Sequence, residues 1–256
     1  MFDTPLRWSR RCARPALLCG LLSGLVSGLL SGPATGQSGV LSRTASDAFL
    51  HVVAHEIGHA FLREFNIPVL GPEEDIADDF ATLYIYLTLP DRAEDIVTAR
   101  ARQHMIDGDR PGMFSEYRSD DQRAGRSVCV LYGQDPERFA AMAARFGLDG
   151  DKAANCRDFP TEVGRSWRRI IDDYRMPPDA RVTEAGIDAE DSAFVTDLAD
   201  SGTLDAAYAL LAGIDWHSRI VLSVRDCDGS SFWSRNGRRI TVCDAYLRKF
   251  ASQLPD

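Results

Sequence analysis

The chain is 256 residues long, enough for one large or two small domains around a substantial core. Its composition, 45% hydrophobic and 26% charged, is that of an ordinary globular protein. A formal net charge of −9 argues against nucleic acid or an anionic membrane surface as a partner.

The first segment, "MFDTPLRWSRRCARP", carries Arg7, Arg10, Arg11 and Arg14 against Asp3. An uncharged apolar run, "ALLCGLLSGLVSGLLSG", follows, and then "PATGQ" with small residues at Ala34 and Gly36. This order describes a secretory signal over residues 1–36, leaving 37–256 as the exported, periplasmic or secreted domain. The competing reading is a retained membrane anchor, favoured by Gly20, Gly24, Gly28 and Gly32 at four-residue spacing. At roughly 17 residues the run is short of the about 20 a span needs. Cys19 has no small residue just before it, which argues against a lipoprotein-type anchor.

Export leaves Cys129, Cys156, Cys227 and Cys243. An even count in an oxidising compartment favours two disulfides over a zinc cluster, for which no C-x-x-C spacing is present. Three pairings are possible, and local separation favours Cys129–Cys156 with Cys227–Cys243.

Apolar periodicity predicts a helix over 46–65, "SDAFLHVVAHEIGHAFLREF", capped by Thr44 or Ser46 and ended before Pro68. A second helix opens at "GPEED" and runs through "IADDFATLYIYLTL" to Pro90; its C-terminal half is apolar all round and belongs in the core. Further helices are expected near 92–106, 119–132, 135–147, 160–174 and 203–212. Then the character changes. "RIVLSVRDC" and "RRITVCDAY" are β-branched runs, and the Asn-Gly in "RNGR" signals a hairpin with "SFWS". The expectation is an α+β, mostly helical fold with a helical body over 44–212 and a β-hairpin over 218–246.

"HEIGH" matches H-E-x-x-H. On a helix, His55 and His59 share a face and can present nitrogens to one metal, with Glu56 beside them as general base. His51 also lies four residues back. Pairing it with His55 would put Val52 at the base position, and it lies about 12 Å along the axis from His59, so it is a bystander. Catalytic zinc usually takes three protein ligands. Fourteen residues after His59 comes "EEDIADDFA", in which Glu74 and Asp78 lie four apart on the second helix. Glu74 can be the third ligand, and Asp78 can hold a ligand imidazole. Asp75 and Asp79 are the rival pair, about 100° round the helix. Acids at a helix start are also favourable without any metal. His104 and His217 are isolated histidines, more in keeping with structure than with ligation.

"HEIGH…EDIADDFA" resembles the gluzincin pattern of zinc metallopeptidases, in which the Glu four residues before the Asp is the ligand, which corresponds to Glu74. "HEIGHAFLREFNIPVLGPEEDIADDFA" is similar to a bacterial metallopeptidase-like family classified as a domain of unknown function. "DDQRAGRSVCVLYGQDPERFA" and "CDGSSFWSRNGRRITVCDAY" resemble further segments of that family. The resemblance implies a zincin-like two-helix site, Zn2+ as cofactor and a peptide or protein substrate whose identity it does not give. One departure stands out. The family pattern has an acid-His pair shortly before Gln-Arg, where this chain has Tyr117. A tyrosine hydroxyl there could still donate to an oxyanion; the alternative is a surface-loop residue.

The implied reaction is peptide-bond hydrolysis by a zinc-activated water with Glu56 as base. The alternatives are an exported zinc-binding or interaction module without peptidase activity, and a zinc amidohydrolase acting on a cell-wall amide. Gluzincins place strands before the motif helix, and the expected cleavage after Gly36 leaves only about ten residues for them here. The C-terminal hairpin is therefore expected to supply the sheet and to pack beside that helix.

Overall fold

In a computed structural model, residues 40–256 are described, except 178 and 183 and the side chain at 159. The expected signal segment, residues 1–36, lies outside them.

Helix α1 (Arg43–Glu64) runs through the core, with 17 of its residues buried. Such a helix shows no amphipathic stripe, because it has no solvent face. Its N-cap is Ser42, whose side chain accepts from the Ala45 amide at 2.9 Å; Thr44 and Ser46 lie inside the helix. Ser42 Oγ in turn donates to the Leu254 carbonyl, tying the helix start to the end of the chain. Against α1 pack α2 (Glu73–Thr88) and α3 (Ala93–Asp107), and α4 (Asp120–Gln134) packs on α2 and α3.

The approach of α1 and α2 depends on two small residues. A Cβ on Gly58 would lie 3.1 Å from the Phe80 ring and 3.3 Å from the Ala77 Cα. The fourth residue of "HEIGH" is thus glycine for packing reasons, and it is this closeness that lets acids of α2 reach histidines of α1. Below the contact, Phe49, Phe61, Phe80 and Tyr84 are almost wholly buried, each worth roughly 1.5–3 kcal/mol of apolar transfer.

After α4 come α5 (Ala140–Arg145), α6 (Gly150–Asp172), strand β1 (Ala185–Asp188), α7 (Val195–Asp200) and α8 (Thr203–Ala212). The chain ends with β2 (Ile220–Arg225), β3 (Ser231–Ser234), β4 (Arg239–Cys243) and α9 (Asp244–Gln253). The sheet has the order β1-β2-β4-β3, with β1 and β4 parallel to β2 and β3 antiparallel to β4.

The fold is mostly helical α+β, with the "RNGR" turn joining β3 to β4 as the dipeptide signalled. Cys129–Cys156 staples α4 to α6, and Cys227–Cys243 closes the loop before β3 onto the end of β4. Four differences from the sequence expectation are physical. Helix α6 starts at Gly150, not near 160, and carries Pro160 internally. Asp135 ends α4, and α5 begins only after the turn that follows it. A strand, β1, falls inside the expected helical body, and "DAYLRKFASQ" is a helix, α9, not an extension of the hairpin.

Candidate metal centre

His55 and His59 project from the fourth and fifth turns of α1 toward the first turn of α2, where Glu73, Glu74 and Asp75 stand. His55 donates from Nδ1 to Asp78 Oδ1 at 2.8 Å, and His59 from Nδ1 to Glu73 Oε1 at 3.0 Å. A carboxylate can only accept, so both Nδ1 atoms carry protons and both Nε2 atoms face inward. The two Nε2 atoms are 3.1 Å apart. Glu74 closes the triangle, with Oε2 at 3.2 Å from His55 Nε2 and Oε1 at 3.4 Å from His59 Nε2.

Donor atoms of His55, His59 and Glu74 therefore all lie within 4.8 Å of one another. Two nitrogens sharing one tetrahedral zinc are about 3.3 Å apart, from a bond of about 2.05 Å. The donor set fits such an ion: two imidazoles fixed in the ligating tautomer, and one carboxylate.

Electrostatics point the same way. Burial opposes a charged His55, but the charge and hydrogen bond of Asp78, the bond to Glu74 and the charge of Glu56 overcome it and raise the imidazole to about 9. Burial opposes ionised Glu74 too, and its bonds to His55 and His59 outweigh this and hold it far below the usual carboxylate range. A pair of imidazoles ringed by four carboxylates is a site that attracts cations.

Asp78 does more than hold His55. It also accepts from Arg123 Nε at 2.8 Å and Nη2 at 3.0 Å, so α4 locks the acid that locks His55. The rival acids are committed elsewhere: Asp75 to Arg118 at 2.6 Å, and Asp79 to both Nε and Nη2 of Arg126 at 2.7 and 2.6 Å. His51 is wholly buried in the core, with Nε2 3.3 Å from Thr82 Oγ1. His104 donates to Asp120 at 2.7 Å, and His217 stacks edge-on against Phe65.

Glu56 is 5% exposed and lines the same cleft, of about 550 Å³, as His55, His59 and Glu74. Among the described residues its carboxylate has no hydrogen-bond donor. The opposite wall is the edge strand β3, through Ser231, Phe232 and Trp233, so the hairpin does stand beside the motif helix. Tyr117, half-exposed on the 108–119 loop, also lines the cleft, and Arg123 lies 5.7 Å over its ring. Burial and then the charges of Glu74 and Glu116 push its hydroxyl pKa up.

Sequence reasoning missed Glu73 and Arg123. Glu73 read as one more acid at a helix start. Arg123 belonged to the quoted "DDQR" string, but nothing in that string says which acid it meets.

Residues 33–171 match the model of a family described as "Putative metallopeptidase". No curated protein and no solved structure matches the chain.

Proposed function

The chain belongs to that family, DUF4344, whose model spans more than half of it, and from this premise we propose that it is an exported zinc peptidase. The observation that carries the reading is the three converging donors opening onto a cleft beside Glu56, whose carboxylate accepts no hydrogen bond among the described residues. Zinc held by His55, His59 and Glu74 would supply a Lewis acid that makes water nucleophilic near neutral pH and polarises a carbonyl.

The remaining work falls to the protein. Glu56, next in sequence to a ligand and free of other bonds, takes the proton of the attacking water and returns it to the leaving amine. Asp78 and Glu73 keep both imidazoles in one tautomer and orientation. Tyr117 Oη can donate to the developing oxyanion from the cleft wall. Phe232 and Trp233 offer the apolar surface along which a peptide can lie.

A purely structural zinc module would need a closed site with a fourth protein ligand. His51, the spare histidine, is held in the core by Thr82 and does not supply one. Export agrees with two disulfides; no helix among the described residues is long and apolar enough to cross a membrane. The test is the metal content of the purified protein, followed by cleavage of an unbiased peptide library with Glu56→Gln as the control. A metal-loaded protein that cleaves nothing the control leaves intact counts against the reading.

A further inference from the structure

A second cleft, of about 490 Å³, adjoins the metal-centre cleft and shares Arg100, Tyr117, Arg123, Ser230 and Tyr246 with it. Cations on its walls are mostly paired: Arg123 with Asp78, Arg118 with Asp75, and Lys249 with Asp107 at 2.7 Å.

Arg100, on α3, is different. It is only 5% exposed, yet its guanidinium meets neutral groups. Nη1 donates to Gln103 Oε1 and, at 3.1 Å, to the Tyr246 hydroxyl, while Nε is buried without a partner. No carboxylate among the described residues pairs with it. Asp107, one turn beyond Gln103, is reached only through that amide and is already shared with Lys249 and Gln253.

A buried guanidinium without a counter-charge is costly, and its planar fork of N–H donors matches a carboxylate. Gln103 and Tyr246 fix the fork where the two clefts share walls. We propose that Arg100 is the binding site for a substrate carboxylate. The preferred peptide then carries an acidic side chain, or its own C-terminal carboxylate, close to the scissile bond. This deepens the peptidase reading and rests on it for the identity of the ligand as a substrate.

The test is calorimetric, on the purified protein with its metal, using three backbone-methylated peptides that resist cleavage. One has a central Glu and an amidated C-terminus, one has Gln and the same amide, and one has Gln and a free C-terminus. Wild type is expected to bind at least one carboxylate-bearing peptide about tenfold or more tightly than the neutral one, and which of them does so identifies the source. Arg100→Gln should bring the preference within about twofold, and Arg100→Lys should keep part of it.

Repeating the titration after chelation separates Arg100 from the ion, because a preference that disappears with the metal and survives Arg100→Gln overturns the proposal. Equal affinities for all three peptides overturn it as well. Should Arg100→Gln not fold, the wild-type Arg100 Nε–H resonance decides the matter: it should shift with the preferred peptide and not with the neutral one, and no shift overturns the proposal. Carboxylate preference without any cleavage elsewhere would remove the peptidase reading and leave this site standing, while cleavage without the preference would do the reverse.

Discussion

His55 Nε2 and His59 Nε2 face each other at 3.1 Å, each with its other ring nitrogen donated to a carboxylate. Glu74 adds a third donor atom to the two inward Nε2 atoms, and a cation bound among them would replace the proton that the raised His55 otherwise holds there. The purified protein should therefore carry one zinc per chain, and chelation should lower its Tm. A ligand present at 100 times its Kd adds about 2.7 kcal/mol of stability. Glu74→Ala should lose the ion, whereas Asp75→Ala should retain it, because Asp75 is spent on Arg118. Elemental analysis of the two variants decides, and zinc kept by Glu74→Ala but lost by Asp75→Ala would move the third ligand to the rival pair.

Asp78 and Asp79 are neighbours with opposite duties, which a pair of variants can separate. Asp78→Asn leaves Arg123, with a side chain only 11% exposed, facing a neutral amide and loosens the His55 ring. Breaking a buried pair from one side costs about 3–5 kcal/mol, and losing a carboxylate behind a ligand lowers metal affinity about 10–100-fold. Asp79→Asn should cost less, because burial has already pushed the Asp79 carboxyl up to about 6 despite Arg126, and it should leave metal affinity unchanged. Urea titrations and competitive zinc binding read both effects. Equal loss of zinc affinity in the two variants would remove the special role of Asp78.

How much of this was legible in the sequence follows from how local each signal is. "HEIGH", the "GPEED" helix start and the Asn-Gly turn are short-range patterns whose geometry is fixed by helix pitch or turn type. The structure places those segments as their spacing implies. What escaped depends on partners distant in sequence. Strand β1, "AGID", has no β-branched run to announce it and exists because Gly186 and Ile187 pair with Val221 and Leu222. Helix α9 was hidden by its continuity with β4, where Cys243 ends the strand and also caps the helix. Pro160 looked like a helix start but sits inside α6, against Gly133 of α4, where a Cβ would come 2.5 Å from the Cys156 carbonyl. Glu73 and Arg123 were invisible for the same reason: their partners are 14 and 45 residues away.

Glu56→Gln tests the base separately from the ligands. The substitution is nearly isosteric and touches no hydrogen bond, so metal content and Tm should stay close to wild type. Hydrolysis should fall about 10²–10⁴-fold, the usual contribution of a positioned general base. The measurement is kcat/KM on whichever peptide the library yields, with zinc determined in the same samples. Loss of zinc along with activity would place Glu56 among the ligands.

Two buried histidines outside the candidate metal centre, His51 and His104, give an acid dependence whose sign is fixed. Burial, reinforced by the positive charge of Arg100, lowers His104 to about 4 despite its bond to Asp120, and burial with Arg100 lowers His51 well below its ordinary value. Both are neutral in the folded protein and take up a proton on unfolding. Their contribution is fully present above an unfolded pKa of about 6.5 and is lost as pH falls toward the folded values. Each adds a slope of about 1.4 kcal/mol per pH unit. His55 shifts the other way, to about 9, so it is protonated in both states below about 6.5 and adds no slope there. Asp79, pushed up to about 6, takes up a proton in the folded protein over the same range and offsets one of the two, so metal-free protein unfolded in urea between about pH 5 and 6.5 should lose stability as pH falls with a slope nearer one proton than two. His104→Gln, whose amide can still donate to Asp120, should lower the slope by about one proton. An unchanged slope in His104→Gln would mean that His104 takes up a proton without unfolding.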